Sequence, residues 1–185
     1  MRVERDIKID APCEQIWELV ANPDNYPRFW HGLTRLDRKN KDHGCGARFA
    51  MRMRVGSADI GGLIEIVEFD EAADMAWHSI TGIDHRVRWR LRDADDGRTK
   101  VTLRMSWDSP GGLLGIAADR IGAPMVARIL EQTLQNLALE LEDEEVREQV
   151  SDDEGKSLPA QAIHQLVREA EGAFGIARHQ INLHL

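Results

Sequence analysis

Apolar and charged side chains alternate with a period of two through much of the segment 46–107. Strict alternation predicts β-strands with one buried and one solvent-exposed face, because successive side chains of a strand point to opposite sides. The alternation is clearest in three stretches: GARFAMRMRV (46–55), DHRVRWRLR (84–92) and KVTLRMSW (100–107). Asp95-Asp96-Gly97, between the last two, is typical of a tight hairpin turn. The chain is therefore predicted to form an antiparallel sheet that buries one face.

Less regular segments complete the predicted sheet. Strands are expected near 58–69 and 73–81, with a bulge or sharp bend at Gly61-Gly62. Residues 2–9 also alternate and predict a first strand. A short helix should follow it, with Asp10 as its N-cap, and then one further short helical turn.

Hydrophobic residues recur at helical spacing after the last strand. They stand three and four positions apart at Val126, Leu130, Leu134, Leu137 and Leu141. Pro124 is expected to start this helix or to kink it. A helix and a sheet that each have one apolar face must bury those faces against each other. We therefore predict an α+β fold in which a curved sheet of about seven strands wraps around a long C-terminal helix.

The net charge of −8 comes from one short segment. Residues 140–154 contain nine acids and one base, so the rest of the chain is neutral overall. Such a run is typical of a solvated helix end that continues into a linker. We predict a main domain at 1–148, then an acidic linker and an amphipathic helix within 149–185. That helix cannot bury its own apolar face, so it should dock on the main domain, on a second copy as a homodimer, or on a partner.

The composition excludes several classes of protein. With 42% hydrophobic and 30% charged residues, no apolar run of membrane-spanning length and a charged N-terminus, a protein without a membrane span or a signal peptide is expected. Cys13 and Cys45 make no disulfide framework, so reduced thiols and a cytoplasmic location are expected. The histidines show no paired ligand spacing, and neither a nucleophile elbow nor a phosphate-binding glycine loop occurs. No metal ion and no cofactor are therefore expected.

Residues 9–30, IDAPCEQIWELVANPDNYPRFW, hold four aromatic residues and three prolines. This segment resembles the opening of the polyketide cyclase/dehydrase and lipid-transport superfamily (START-like, SRPBCC). The matching positions are Ile9, Ala11, Pro12, Trp17, Asn22 to Asp24, Tyr26, Pro27 and Trp30. Further matches are Glu65, Glu68 and Asp70, the pair Ala76-Trp77, and Ser109 to Gly112. The resemblance covers about residues 1–145 and implies the helix-grip fold. Proteins of this superfamily include cyclases, aromatases, lipid carriers and quinone-binding proteins.

The resemblance also implies a cavity between the sheet and the long helix, bordered by the aromatic loop. Met and Trp side chains suit such a cavity, because they offer adaptable or broad apolar surfaces. The candidate ligand-binding residues are Tyr26, Phe29, Trp30, Phe49, Met51, Met53, Trp77, Trp89, Met105, Trp107, Met125 and Ile129. The alternative is a filled core made from the same residues, with the aromatic loop as an end-plug.

His85 is the candidate catalytic residue, because it is in phase with Val87 and Trp89 on the buried face. A histidine there could act as a general acid or base near neutral pH. The alternative is a histidine at a strand end that is exposed or bonded to the backbone. Glu65 is expected in an outward ion pair rather than as a buried acid.

Arginines occupy the opposite, exposed face of the predicted sheet, at positions 48, 52, 54, 86, 88, 90 and 104. A basic sheet can bind nucleic acid, but the aromatic residues point the other way and no recognised motif accompanies them. We therefore expect cross-strand pairing with Glu and Asp, or docking of the acidic segment, and no nucleic-acid partner.

Three functions are consistent with the sequence. The leading hypothesis is binding of a small hydrophobic or aromatic molecule, such as a lipid, quinone or polyketide, in a cavity between sheet and helix. The second is an aromatase/cyclase that holds a poly-β-ketone chain for intramolecular aldol closure and dehydration, mainly by orientation. The third is a protein-interaction module that uses the C-terminal helix.

Overall fold

The computed structural model describes the backbone of residues 1–94, 96–108 and 113–155, and the side chains of the last range at 122–144 and 147. Within that part of the chain, antiparallel strands form one seven-stranded sheet. In chain order the strands are β1 (Arg2–Ile9), β2 (Leu33–Arg38), β3 (Arg48–Val55), β4 (Ala58–Asp70), β5 (Asp74–Ser79), β6 (His85–Asp93) and β7 (Thr99–Trp107). Their order across the sheet is β1-β7-β6-β5-β4-β3-β2.

Helical segments follow the first strand and the last strand of the chain. Helix α1 (Cys13–Val20), a 3₁₀ turn (Pro23–Asn25) and helix α2 (Tyr26–Phe29) separate β1 from β2, and helix α3 (Leu113–Gly155) follows the sheet. Pro124 lies inside α3 and does not start it. The curved sheet, the two short helices and the long helix confirm the predicted α+β, helix-grip architecture.

Contacts within the chain divide it into two units, Met1–Asp143 and Glu144–Leu185. The first contains the whole sheet and the part of α3 that packs on it. Of the second, the structure describes only the continuation of α3 to Gly155. The predicted C-terminal amphipathic helix lies outside the described residues, and the predicted boundary at 148/149 remains a prediction. In the described part of the chain, no helix is both long and apolar enough to cross a membrane.

The core lies between one face of the sheet and one side of α3. Along β6, Val87, Trp89 and Leu91 are buried, as the alternation predicts. The apolar side of α3 is buried at all five predicted positions, namely Val126, Leu130, Leu134, Leu137 and Leu141. Burial of an aliphatic side chain of this size stabilises a fold by about 1.5–3 kcal/mol, so these five residues contribute substantially to stability.

The predicted N-cap was wrong. The N-cap of α1 is Pro12, without a side-chain cap hydrogen bond, and Asp10 does not cap the helix. Of the bulge or bend predicted at Gly61-Gly62, the bulge is absent, because the pairing of β3 with β4 runs through both glycines without a register shift. The bulge of β4 lies further along, between Ile66 and Glu68, in its pairing with β5.

Ion pairs between neighbouring strands cover the exposed face of the sheet. Arg48 Nε lies 2.8 Å from Glu65 Oε2, which confirms the outward pairing of Glu65. Arg90 Nε lies 3.1 Å from Asp74 Oδ1. Cross-strand pairing of the arginines is thus confirmed at these positions. Each exposed pair contributes little by itself, typically about 0–1 kcal/mol.

Candidate ligand-binding site

Five aromatic side chains meet between α2 and the middle of the sheet, and we call them the aromatic cluster. Tyr26, Phe29 and Trp30 come from α2 and its C-cap, Trp77 from β5 and Trp89 from β6. All five are at most 4% exposed. The Trp30 and Tyr26 rings stack with their centroids 5.1 Å apart, and the Trp30 and Trp77 centroids are 5.4 Å apart. The five predicted binding residues therefore contact one another, as aromatic core residues do.

A chain of hydrogen bonds runs through the aromatic cluster. Trp89 Nε1 donates to the Tyr26 hydroxyl oxygen at 3.1 Å, and the Tyr26 hydroxyl donates to the Val20 carbonyl at 2.9 Å. Burial raises the pKa of Tyr26 well above its ordinary value, so the phenol remains protonated. The indole N–H groups of Trp30 and Trp77 are buried and have no protein acceptor among the described residues. The cluster thus contains one satisfied polar chain and two unsatisfied donors.

The other seven predicted binding residues are distributed between the core and its edges. Phe49 and Met51 are buried in the core, whereas Met53, Met105 and Trp107 are partly buried and pack against it. Met125 and Ile129 lie on α3, and there the structure opens into a groove.

The groove lies between α3, the start of β2 and the turn that joins β3 to β4. Its volume is about 680 Å³. The lining residues are His31, Gly32, Leu33, Thr34, Arg54, Gly56, Met125, Arg128 and Ile129. Pockets that bind small molecules are typically about 300–1,000 Å³, apolar, and supplied with a few polar groups. The groove has a volume in that range and combines an apolar surface with several polar groups.

An apolar surface and cationic groups share the groove. Leu33, Met125 and Ile129 supply the apolar surface, and Met125 is 42% exposed although it is a large hydrophobic residue. Arg54 is bonded to Asp59, with Nε 3.1 Å from Oδ1, and this hydrogen bond raises the pKa of Arg54. Arg128 has no hydrogen-bond or ion-pair partner in the described part of the chain. Arg128 thus places a positive charge beside the apolar surface of the groove.

Two glycines let the walls of the groove come together. Gly32 has φ +79°, its carbonyl accepts a 2.7 Å hydrogen bond from Arg54 N, and a Cβ there would lie 2.9 Å from Arg54 O. Gly56 has φ +61°, and a Cβ there would lie 3.1 Å from Met125 Cε. A larger residue at Gly32 would collide with backbone, whereas one at Gly56 would have to displace the Met125 thioether, and the positive φ disfavours a side chain at both positions.

Sequence reasoning identified only Met125 and Ile129 among the residues that line the groove. Of the other seven, Arg128 lies on the same helix, and the remaining six come from segments distant in the chain that meet only in the fold. One signal was available, since Met125, Arg128 and Ile129 are spaced i, i+3 and i+4 and therefore share one helix face. An arginine beside apolar residues on one helix face is the combination of groups that is typical of a ligand pocket.

His85 begins β6 at the same end of the sheet as the groove, opposite Trp107 of β7, but it does not line the groove. Its Nδ1 lies 2.8 Å from the Ile83 carbonyl, and its backbone N–H donates to Ser79 Oγ at 2.9 Å. A carbonyl only accepts, so Nδ1 carries the proton and Nε2 is left as the acceptor. Burial lowers the pKa of His85, which favours the neutral ring. The backbone bond expected as the alternative is therefore present, and Nε2 retains the capacity of a base.

A comparison with protein-family models matches residues 1–142 to the family described as polyketide cyclase/dehydrase and lipid transport. The match spans more than half of the chain. The chain belongs to this family. Proteins that share a fold can differ in function, so family membership gives the helix-grip fold but does not identify the ligand.

Solved structures show the same fold at low sequence identity. TTHA0849 from Thermus thermophilus matches with a TM-score of 0.67 and 16% identity, over 76% of this chain and 97% of the other. The Zhui aromatase/cyclase from Streptomyces sp. R1128 matches with a TM-score of 0.62 and 16% identity, over 77% and 93%. The di-domain aromatase/cyclase BexL matches with a TM-score of 0.55 and 19% identity, over 77% and 46%. At these identities the likeness establishes the family fold alone.

The comparison with curated proteins returned no match. Among the described residues, no group of three or more His, Cys, Asp or Glu side chains is arranged to hold a metal ion. The groove and His85 are the candidate sites for ligand binding and for acid–base chemistry.

Proposed function

We propose that this protein binds a small hydrophobic molecule that carries an acidic group, such as a fatty acid or a polyketide-like acid. The ligand enters through the groove between α3, β2 and the β3–β4 turn. The carrying observation is an exposed apolar surface at Met125 beside Arg128, a cation without a partner in the described structure. Burial of the ligand's apolar body supplies affinity at about 25 cal/mol per Å², before the cost of ordering is deducted. Family membership agrees, because the family description includes lipid transport.

The test is a titration of the full chain with decanoate and with decanol, followed by tryptophan fluorescence and calorimetry. Met125→Glu should weaken decanoate binding about tenfold or more, because it places an acid on the apolar surface of the groove. Leu139→Glu is the matched control, since Leu139 is 59% exposed on the same helix and does not line the groove. It should bind decanoate like the wild type.

Arg128→Gln separates the charge from the apolar surface. It should weaken decanoate binding about fivefold or more and leave decanol binding unchanged, because only the carboxylate pairs with the guanidinium. If neither ligand binds, or if Met125→Glu and Leu139→Glu bind decanoate equally well, the groove is not the site.

His85 favours a second function, an aromatase/cyclase. Its Nε2 is a neutral acceptor that could remove a proton next to a carbonyl and later return it to the hydroxyl that leaves as water. Incubation with a poly-β-ketone thioester should then yield an aromatic product. His85→Asn should abolish its formation, whereas His43→Asn, at an exposed loop histidine, should not. Equal product from both variants would remove His85 from the chemistry.

A further inference from the structure

The strand register assembles a cluster of arginines on the exposed face of the sheet, away from the groove. Residues that are register partners across β1, β7 and β6 lie side by side on this face. One row consists of Arg2, Ser106 and Arg86, and the next row consists of Glu4, Arg104 and Arg88. Ser106 is much the smallest of these side chains, so a depression opens above it.

This depression has a volume of about 230 Å³, and we call it the arginine pocket. Among the described residues it is lined by Arg2, Arg86, Arg88, Arg104 and Ser106. These supply four guanidinium groups and one hydroxyl, all of which can donate hydrogen bonds. No carboxylate of the described residues belongs to this lining.

The carboxylates nearby are too few to neutralise the cluster. Glu4 lies 2.9 Å from Arg2 and 3.9 Å from Arg104, so one acid serves two cations. Glu68 is likewise shared between Arg86 and Arg88. Four positive charges thus face two carboxylates, and the excess is concentrated at Arg104, whose contact with Glu4 is the longest of these pairs.

Asp74 does not make up the difference. Its contact with Arg88 is 3.8 Å long, and it is already paired with Arg90 and Arg92 from the same strand. Burial and the nearby Arg2 and Arg88 charges lower the pKa of Arg104, as expected for a cation that lacks a close counter-charge.

Two donors in the pocket lack a good acceptor. The Arg88 Nε–H is buried and has no hydrogen-bond partner in the described part of the chain. The Ser106 hydroxyl makes only a 3.5 Å contact with the Arg86 carbonyl. An anion in the pocket would bring a negative charge close to this buried charged donor and would give the Ser106 hydroxyl a better acceptor.

We propose that the arginine pocket binds a phosphate or sulfate group of a small soluble molecule. Guanidinium groups recognise tetrahedral oxyanions by paired N–H···O bonds, and a concave site strengthens those bonds by excluding water. This site is independent of the groove, because it lies on the opposite face of the sheet and shares no lining residue with it.

The experiment is a titration of the full chain with inorganic phosphate at constant ionic strength, with chloride as the replaced anion. Calorimetry gives the affinity, and NMR of the arginine Nε–H groups gives the location. We expect a dissociation constant of about 1 mM or tighter, with the largest resonance shifts at Arg88 and Arg104.

Ser106→Val tests the pocket without a change in charge. Valine suits a strand, fills the depression and removes the hydroxyl, so phosphate binding should weaken about tenfold or more. Thr102→Val is the matched control, because Thr102 lies on the same face of β7 beside Arg90 and outside the pocket lining. It should leave the affinity unchanged.

Arg104→Gln should weaken phosphate binding by a similar factor, whereas Arg52→Gln should not. Arg52 is exposed on β3 and does not line the pocket, so the two variants lose the same charge at different places. Circular dichroism establishes that each variant is folded. If phosphate does not bind, the proposed site is wrong. If Arg104→Gln and Arg52→Gln weaken binding equally, general surface charge accounts for the binding, and the proposed site is again wrong.

Discussion

At the scale of single residues, the Tyr26 hydroxyl is the polar centre of the aromatic cluster. It accepts from Trp89 Nε1 and donates to the Val20 carbonyl, and the ring is fully buried. Tyr26→Phe leaves both partners unsatisfied with almost no change of shape. We expect it to lower the free energy of unfolding by about 1–3 kcal/mol, measured by denaturant titration.

The double variant distinguishes this hydrogen bond from other effects of the Tyr26 change. Trp89→Phe removes the donor as well as part of the indole, so it should be destabilising by itself. In Tyr26→Phe/Trp89→Phe the combined loss should be smaller than the sum of the two single losses, because the shared bond is lost only once. Strict additivity, or a Tyr26→Phe effect within experimental error of zero, would contradict this view of the cluster.

His85 makes stability depend on pH. Burial holds its pKa below the ordinary value of 6.5, while the hydrogen bond with Ile83 and the charge of Asp84 act in the opposite direction. The unfolded chain therefore binds a proton more readily than the folded chain. The contribution of His85 to stability is complete above pH 6.5 and declines as the pH falls from 6.5 through the lower pKa of the folded state.

His85→Asn should lose this pH dependence, because the amide can replace the Nδ1 hydrogen bond but does not titrate. Between about pH 7.5 and 5.5 the free energy of unfolding should fall more in the wild type than in this variant. His43→Asn, at an exposed loop position, should behave like the wild type. Parallel pH profiles for the wild type and His85→Asn would show that the folded state does not disfavour the imidazolium.

At the scale of elements, alternation predicted strands well because a sheet with one buried face imposes a period of two. The phase of β6 and the buried side of α3 follow from the sequence for this reason. The N-cap of α1 did not follow, since Asp10 and Pro12 both suit a helix start and tertiary contacts choose between them. The bulge expected at Gly61-Gly62 is also absent. The reason for a glycine there lies in a different segment, the loop at Thr81.

Gly62 is required by a close backbone approach. A Cβ there would lie 2.1 Å from the Thr81 carbonyl oxygen, in the loop that joins β5 to β6. Neither backbone segment can yield as a flexible side chain would, so Gly62→Ala should lower the free energy of unfolding by about 1–3 kcal/mol or more. Denaturant titration measures this change.

Gly122→Ala is the matched control with the opposite expected sign. Gly122 lies inside α3, and a Cβ there would meet no heavy atom of the described residues within 4 Å. The same chemical change should therefore stabilise the protein by about 0.5–1 kcal/mol, through helix propensity. A neutral or stabilising Gly62→Ala would mean that the loop and β4 do not approach as closely as described.

At the scale of the whole molecule, the groove could not be predicted because it has no local signature. Its walls come from the segment after α2, the β3–β4 turn and α3, and only the folded sheet and helix bring these together. The predicted binding residues came from the buried sheet face, the aromatic loop and the long helix, and five of them pack together as the aromatic cluster. The sequence pattern predicts which side chains turn inward, but packing decides which of them contact one another and which border a space.

Truncation after Glu148 tests what residues 149–185 contribute to stability and to oligomeric state. Every buried residue of the described structure lies in Met1–Leu141, and the family match ends at residue 142. A chain of residues 1–148 should therefore fold, with a free energy of unfolding within about 1 kcal/mol of the full-length value. Denaturant titration measures the stability, and light scattering of both chains measures their mass.

If the C-terminal segment joins two copies, only the full-length chain should have the mass of a dimer, and its stability should rise with protein concentration. Equal monomeric masses would contradict the homodimer, whereas a dimeric short chain would place the interface within residues 1–148. A short chain that loses much more than 1 kcal/mol without a change in mass would show that the segment docks on its own domain. A homodimer requires a second copy of the chain, whereas docking of the segment on its own domain does not. The dependence of stability on protein concentration therefore separates these two alternatives.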